Sequence, residues 1–149
     1  MNEFLSLWTR ASKLMREAAD DAMSRHGVRV GQNMVLEVLW ETDGLTPGEL
    51  ADRLHVATPT IVKSATRMEA SGLLIRRRDP ADARLVRLYL TEQARSIRTA
   101  IETEREALAQ RATAALTESE RRALLHALTK IIEEFADAAP RHEPDRDPR

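Results

Sequence analysis

The chain has 149 residues, a length that suits one domain with a substantial hydrophobic core. Hydrophobic residues make up 42% and charged residues 32%, and the absence of cysteine excludes disulfides, thiolate catalysis, cysteine-based zinc sites and cysteine redox sensing. No apolar run approaches the roughly 18 residues of a membrane-spanning helix, and the N-terminus lacks a basic segment followed by an apolar one, so we expect a cytoplasmic protein without a membrane partner.

The formal net charge is only −1, but the charges are unevenly distributed. Residues 53–87 hold eight basic and three acidic side chains, a net charge of +5, whereas residues 1–52 carry −4 and residues 88–149 carry −2. A basic segment in an otherwise acidic chain is typical of a protein that binds nucleic acid with one surface and uses its other surfaces differently. A solvated charged face is the alternative interpretation.

The residues before this basic segment predict two helices. Apolar residues recur at i, i+3 or i+4 from Asn2 to about His26, and Gly27 is well placed to end this helix. A long terminal helix cannot bury such a stripe alone, so we expect it to pack on another subunit as well as on its own domain. A second helix is predicted over Gln32–Thr42, is stopped by Asp43-Gly44, and leaves Leu45 room for only a very short strand.

Two capped helices follow within the central part of the chain. Thr46-Pro47-Gly48-Glu49 has the form of a capping box, with Thr as N-cap, Pro at the first helical position and Glu three residues later. Thr58-Pro59 repeats the signal of a cap followed by proline and opens a second helix, which ends at Ser71-Gly72. Thr58 is the preferred N-cap of this helix, and Ala57 is the alternative.

The second of these helices has two different faces. At about 100° per residue, Ile61, Ala65 and Met68 fall within a narrow arc, which predicts a buried face. The opposite arc carries the side chains expected to meet DNA, and Thr58 joins them at the start of the helix: Pro59, Thr60, Lys63, Thr66 and Arg67. Lysine and arginine pair with guanine O6 and N7, and threonine meets phosphate or the thymine methyl group. A solvated helix face is the alternative.

A small hairpin is predicted directly after this helix. Residues 73–78 and 85–90 are the strand candidates, because apolar and polar side chains alternate with a period of two in the second of them. The residues between them, Asp79-Pro80-Ala81-Asp82-Ala83, favour a turn. A two-stranded hairpin is stable only when it packs on other elements, so these strands predict a wing beside the helix pair rather than a sheet domain.

Two further helices and a charged tail complete the chain. Thr91 caps the first helix, and Thr117-Glu118-Ser119-Glu120 forms a capping box for the second. Residues 140–149 are charged and contain proline, so we expect a disordered tail. The expected fold is mainly α with a small β-hairpin wing. A winged helix-turn-helix at 31–91 and helical regions at 1–30 and 92–139 together form one domain over residues 1–139.

The stretch from 46 to 91, with one long helix before it and two after it, resembles the multiple antibiotic resistance regulator (MarR) family of bacterial repressors. The most specific part is the wing signature Gly72-Leu73-Leu74, Arg76-Arg77, Asp79-Pro80, Asp82, Arg84, Val86, Leu88, Leu90 and Thr91. The resemblance implies a homodimer paired through the flanking helices, with recognition helices about 34 Å apart on a pseudopalindromic double-stranded DNA operator. It also implies a repressor of transcription that a small lipophilic or aromatic effector releases.

The resemblance also assigns roles within the wing. The family often has two arginines at the wing tip, but here Ala83 precedes Arg84. Arg84 is therefore expected to enter the minor groove alone, steered by Asp82, since narrow A·T-rich grooves attract arginine. Arg76 either binds phosphate or holds the wing through Asp79 or Asp82.

Other functions are less well supported by the sequence. Trp8, Met15, Met34 and Trp40 are candidates to line an effector pocket between the dimer helices and the DNA-binding lobe, although ordinary core packing accounts for the same spacing. The four histidines are scattered over separate elements, so no metal or other cofactor is expected. Without a Gly-rich phosphate loop or a nucleophile elbow, no enzyme activity is expected. A winged-helix module that binds another protein, with an incidental positive face, is the alternative function.

Overall fold

The computed structural model describes residues 2–29 and 31–138, so the predicted tail at 140–149 lies outside the described residues. The described residues are mainly α-helical with one antiparallel hairpin, which confirms the predicted fold class. In chain order the elements are α1 (Glu3–Ser24), α2 (Gln32–Glu41), α3 (Pro47–Leu54), α4 (Thr58–Ala70), β1 (Leu74–Arg78), β2 (Val86–Leu90), α5 (Glu92–Ser96), α6 (Arg98–Thr113) and α7 (Glu118–Ala138).

The chain divides into two compact units, Met1–Ala109 and Gln110–Arg149. The first unit contains α1 to α5 and both strands, the second contains α7, and α6 runs across the division. The hairpin and the two helices that precede it therefore belong to one unit.

Two predicted capping boxes are confirmed. The Thr46 hydroxyl accepts the Glu49 N–H at 3.2 Å, and the Glu49 carboxylate accepts the Thr46 N–H at 2.8 Å. Thr117 and Glu120 form the same reciprocal pair, with distances of 3.2 and 2.7 Å. Each box satisfies two N–H groups that a helix cannot satisfy internally, which is why these helices begin where the sequence predicts.

The N-cap of α4 is Ala57, so the preference for Thr58 was wrong. Ala57 is extended, and its carbonyl accepts the N–H groups of Thr60 at 3.0 Å and Ile61 at 3.4 Å. Pro59 then occupies the second helical position, where its missing N–H is as harmless as it is at the first. The Thr58 side chain lies in the first turn of α4 and makes no capping hydrogen bond.

The helix predicted after Thr91 is interrupted once. The Thr91 hydroxyl accepts the Ala94 N–H at 3.2 Å and opens α5, but α6 begins only at Arg98. The Trp40 indole N–H donates to the Ala94 carbonyl at 3.0 Å, and this carbonyl is the acceptor that Arg98 N–H would use in a continuous helix. This tertiary contact, which a helix pattern does not predict, lies next to the interruption at Ile97.

The core of the first unit lies where α2, α3, α4 and the hairpin meet. The side chains of Leu50, Met68, Leu74 and Leu88 there are almost completely buried. The strands are antiparallel and pair from Leu74↔Leu90 to Arg78↔Val86, one residue shorter at each N-terminal end than predicted. Leu45 adds a one-residue bridge to Leu88, as the short strand prediction required. The hairpin is thereby fixed to the helix pair.

The apolar stripes of α1 and α7 are largely exposed. In α1 only Ala22 and Met23 are buried, whereas the exposed large apolar residues are Phe4, Leu5, Leu7, Trp8, Leu14 and Met15. In α7 the corresponding exposed residues are Leu124, Leu125, Ile132 and Phe135. None of the helices in residues 2–29 and 31–138 is long and apolar enough to cross a membrane.

Candidate nucleic-acid interface

The outer face of α4 has the predicted composition. Ile61, Ala65 and Met68 are buried against the core. The six side chains expected to meet DNA are all exposed: Thr58, Pro59, Thr60, Lys63, Thr66 and Arg67. This arrangement leaves a positively charged, hydrogen-bonding surface on a helix whose opposite face is anchored.

Arg76 connects β1 to α4. Its Nη2 donates to the Thr66 hydroxyl at 2.6 Å, and its Nε lies 2.8 Å from a Glu69 carboxylate oxygen. The Thr66 hydroxyl in turn donates to the Val62 carbonyl at 3.0 Å. Thr66 and Glu69 are three residues apart and share one side of α4, which places both within reach of the strand.

The alternative in which Arg76 holds the wing through Asp79 or Asp82 is therefore wrong. Both carboxylates bind other groups of the wing, and the guanidinium of Arg76 is directed towards α4 instead. Phosphate binding by Arg76, the other alternative, stays a prediction.

The wing turn is organised by two carboxylates. Oδ1 of Asp79 accepts the N–H groups of Ala81 at 2.7 Å and of Asp82 at 3.1 Å. The Asp82 carboxylate accepts the Arg84 backbone N–H at 3.1 Å and its guanidinium Nε and Nη2 at 3.1 and 3.3 Å. The Arg84 side chain is nevertheless 90% exposed, so Asp82 orients it without covering it.

The same contacts keep both carboxylates ionised. The Arg87 side chain, followed by the N–H groups of Ala81 and Asp82, holds the pKa of Asp79 below its ordinary value. The Arg84 side chain, followed by its backbone N–H, lowers the pKa of Asp82 in the same way. Hydrogen bonds to the charged form of an acid favour that form, so the wing turn retains its negative charges well below neutral pH.

Arg87 lies next to the wing turn and connects it to the helix pair, a role that the sequence did not single out. Its Nε donates to Oδ2 of Asp79, and its Nη1 donates to the Gly44 carbonyl at 3.0 Å and lies 3.4 Å from the Glu49 carboxylate. The only available signal was the alternation in β2, which places Arg87 on the face opposite Leu88. That signal predicts a solvent-facing side chain and gives no indication of its three partners.

Trp40, one of the four predicted effector-pocket residues, is part of the core packing. Its indole N–H donates to the Ala94 carbonyl at 3.0 Å, and the Arg98 guanidinium lies 5.9 Å from its ring centroid. These contacts agree with the core-packing interpretation of Trp40.

The other three predicted pocket residues are exposed and lie elsewhere. Met34 lines an open cavity of about 490 Å³ whose wall includes Lys63 and Arg67 of α4. Trp8 and Met15 lie on the exposed face of α1, where the Trp8 ring stacks on Phe4 at a centroid distance of 6.3 Å. Met34 thus borders the DNA-facing helix, whereas Trp8 and Met15 belong to an unpartnered apolar stripe.

The described residues contain no cluster suited to a metal ion. No group of three or more histidine, aspartate or glutamate side chains converges within residues 2–29 and 31–138. His26 instead lies 3.1 Å from Glu104, which also pairs with Arg25 at 3.1 Å. The hydrogen bond with His26, followed by the one with Arg25, lowers the pKa of Glu104 below its ordinary value.

The geometry agrees with sequence comparison. Residues 30–86 match the sequence model of the MarR family, and this stretch includes α2, α3, α4 and the wing turn. Residues 30–86 are a MarR-family domain. The chain is 33% identical over 113 residues to the HTH-type transcriptional regulator TtmR of Methylorubrum extorquens, covering 76% of this chain. It spans 57% of TtmR, less than two thirds of that protein's length.

Solved structures share the fold. A MarR family regulator from Listeria monocytogenes, complexed with 26mer DNA, has a TM-score of 0.76 at 23% identity and covers 93% of this chain and 92% of its own. A MarR variant from E. coli, complexed with operator DNA, has the same TM-score and identity and covers 85% of this chain and 91% of its own. The similarity to these two structures shows that the chain shares their fold.

Proposed function

We propose that this chain binds double-stranded DNA with sequence preference and regulates transcription. The observation that carries the proposal is the basic surface that α4 and the wing form together. Lys63 and Arg67 are exposed on one anchored helix face, and Arg84 is held at the tip of the adjacent hairpin. Two structural relatives complexed with DNA support the proposal.

In this proposal α4 enters the major groove, which is wide enough for an α-helix. Lys63 and Arg67 face guanine O6 and N7, while Thr58 and Thr60 at the start of the helix meet phosphate or a thymine methyl group. The Thr66 hydroxyl is bonded to Arg76 and Val62, so Thr66 offers DNA its methyl group.

The wing carries the second contact. Arg84 enters the adjacent minor groove, where narrow A·T-rich segments have an enhanced negative potential. Asp82 orients its guanidinium before DNA arrives, and a pre-oriented side chain loses less conformational freedom on binding. Arg84 therefore reads groove width rather than individual base edges.

We further propose that two copies of the chain form the DNA-binding unit. Contiguous exposed apolar surface commonly marks a protein interface, and α1 and α7 each expose such residues. A symmetric dimer places its two recognition helices in successive major grooves, about 34 Å apart, on a pseudopalindromic operator.

The proposed regulator is a repressor that a small lipophilic or aromatic effector releases. An effector that binds the two lobe separations with different affinity shifts the dimer away from the DNA-competent spacing, and a coupling of about 1–3 kcal/mol gives a 5- to 150-fold effect. Met34 is the predicted pocket residue that borders the α4 surface.

The proposal is tested by measuring fluorescence anisotropy of DNA from the region flanking the gene, across a salt series. Binding through phosphate contacts weakens steeply with salt, with a log–log slope of about −0.9 for each neutralised phosphate. The double variant Lys63→Gln/Arg67→Gln is expected to lose both affinity and slope, whereas the control Arg121→Gln, on α7, is expected to change neither. Salt-independent binding, or no effect of the α4 substitutions, would favour the protein-interaction module instead.

A further inference from the structure

A continuous series of hydrogen bonds runs from the helix pair to the tip of the wing, and it begins at Arg87. The Arg87 guanidinium bonds the Gly44 carbonyl in the α2–α3 loop and the Glu49 carboxylate in the first turn of α3, and it also binds Asp79 of the wing. Its side chain is only 26% exposed. These acceptors engage Nε and Nη1 of the guanidinium and hold the side chain against the helix pair and the wing turn.

Asp79 carries the connection from Arg87 into the turn. Its Oδ2 receives Arg87, while its Oδ1 accepts the N–H groups of Ala81 and Asp82. The Asp79 side chain is 12% exposed and binds different groups with its two oxygens. The backbone of Asp82 is therefore fixed by a carboxylate that is itself fixed by Arg87, and the Asp82 side chain holds Arg84.

We propose that Arg87 is a positioning residue for DNA binding, which fixes the direction of Arg84 through Asp79 and Asp82 without contacting DNA. This inference rests on the proposed function of the wing. A hairpin of two five-residue strands needs anchoring on other elements, and Arg87 supplies that anchor at the end of the hairpin nearest the DNA. Removing Arg87 leaves the strand pairing and the hydrogen bonds within the turn in place, but it releases Asp79, and with it the turn that carries Arg84, from the helix pair.

The expected effect on affinity follows from the number of side chains released. Ordering one long side chain at an interface costs about 0.5–1.5 kcal/mol, which corresponds to about a 2- to 13-fold change in Kd. Arg87→Gln is therefore expected to weaken DNA binding within this range, with an unchanged salt slope because no phosphate contact is removed.

A double-mutant cycle separates positioning from a general loss of charge or structure. DNA affinity is measured for Arg87→Gln, Arg84→Ala and the double variant, with Arg77→Gln as a charge-matched control in the same hairpin. Once Arg84 is absent, we expect Arg87→Gln to cost no more than Arg77→Gln does. If the effects of Arg87→Gln and Arg84→Ala simply add, Arg87 does not act through Arg84 and the proposal is overturned.

A second readout does not depend on DNA binding. The NMR order parameter of the Arg84 Nε–H reports how firmly the guanidinium is held on the ps–ns timescale. We expect it to fall in Arg87→Gln and, should that variant fail to fold, in Asp79→Asn, but not in Arg77→Gln. If the order parameter of Arg84 is the same in these variants as in the original chain, Arg87 does not position Arg84 through Asp79 and Asp82, and the proposal is refuted. If the original chain does not bind DNA, the proposed function is wrong. The NMR measurement still decides whether Arg87 positions Arg84.

Discussion

Replacing Arg84 with alanine removes the wing-tip cation and little else. The side chain is 90% exposed, and it pairs with the neighbouring Asp82 carboxylate, which water readily solvates in its place. Surface substitutions of this kind hardly change folding stability. We therefore expect the melting temperature of Arg84→Ala to match that of the original chain, so that a change in DNA affinity reports the contact itself.

The expected loss is about 1–3 kcal/mol per half-site, the range for an arginine that reads DNA, and this corresponds to about a 5- to 150-fold weaker affinity. The loss should depend on sequence, because Arg84 is proposed to select a narrow A·T-rich minor groove. Arg84→Lys is expected to keep part of the affinity through its charge, while losing part of the preference for A·T flanks.

The assay is fluorescence anisotropy with two duplexes that differ only in the base pairs under the wings, A·T in one and G·C in the other. The original chain should prefer the A·T duplex, whereas Arg84→Ala should bind both equally. An unchanged affinity in Arg84→Ala would sink the minor-groove role. An equal loss on both duplexes would show that Arg84 acts as a phosphate contact instead.

Three further predictions address the neighbouring contacts. Glu69→Gln removes the carboxylate that holds Arg76, so we expect tighter DNA binding and a salt slope steeper by about 0.9 as Arg76 becomes available to a phosphate; an unchanged slope contradicts this. The pKa of Asp79 is lower in the folded chain than in the unfolded chain, where it is about 3.9, so ionised Asp79 stabilises the wing at pH values above that. This stabilisation is lost as the pH falls through the lowered pKa. The protection of the wing-turn amides, expressed relative to their intrinsic exchange rates, should therefore fall in that acidic window. Asp79→Asn has no carboxylate to protonate and should show no such fall; a fall of equal size in this variant refutes the linkage. Trp8→Arg places a charge in the exposed stripe of α1, where burying the exposed 45% of the indole contributes about 2–3 kcal/mol per copy; sedimentation should show dissociation, and an unchanged dimer mass excludes this stripe from the interface.

The features that the sequence predicted well are those determined by neighbouring residues. The capping box at Thr46 and Glu49 and the two faces of α4 depend on residues within one or two turns of helix, and both have the expected form. Asp82 and Arg84 are two residues apart in one turn, so their pairing was also within reach of local reasoning.

The features that the sequence did not predict depend on distant elements. Arg76 binds Thr66, ten residues away across two elements, and Arg87 binds the Gly44 carbonyl, 43 residues away. The Trp40 indole reaches the Ala94 carbonyl, 54 residues away in the sequence, only in the folded chain. The type of a side chain and the periodicity of the sequence predict that a residue is polar and on which face of its element it lies. They do not predict which distant acceptor it binds.

The measurement that tests the central claim most directly is selection of duplexes from a random-sequence DNA library by the purified full chain at physiological salt. Sequence-specific binding by a symmetric dimer predicts enrichment of an inverted repeat whose half-site centres lie one helical turn apart, about 10 base pairs, with A·T-rich segments under the wings. Recovery of unenriched DNA, or of a motif without two-fold symmetry, would contradict the account.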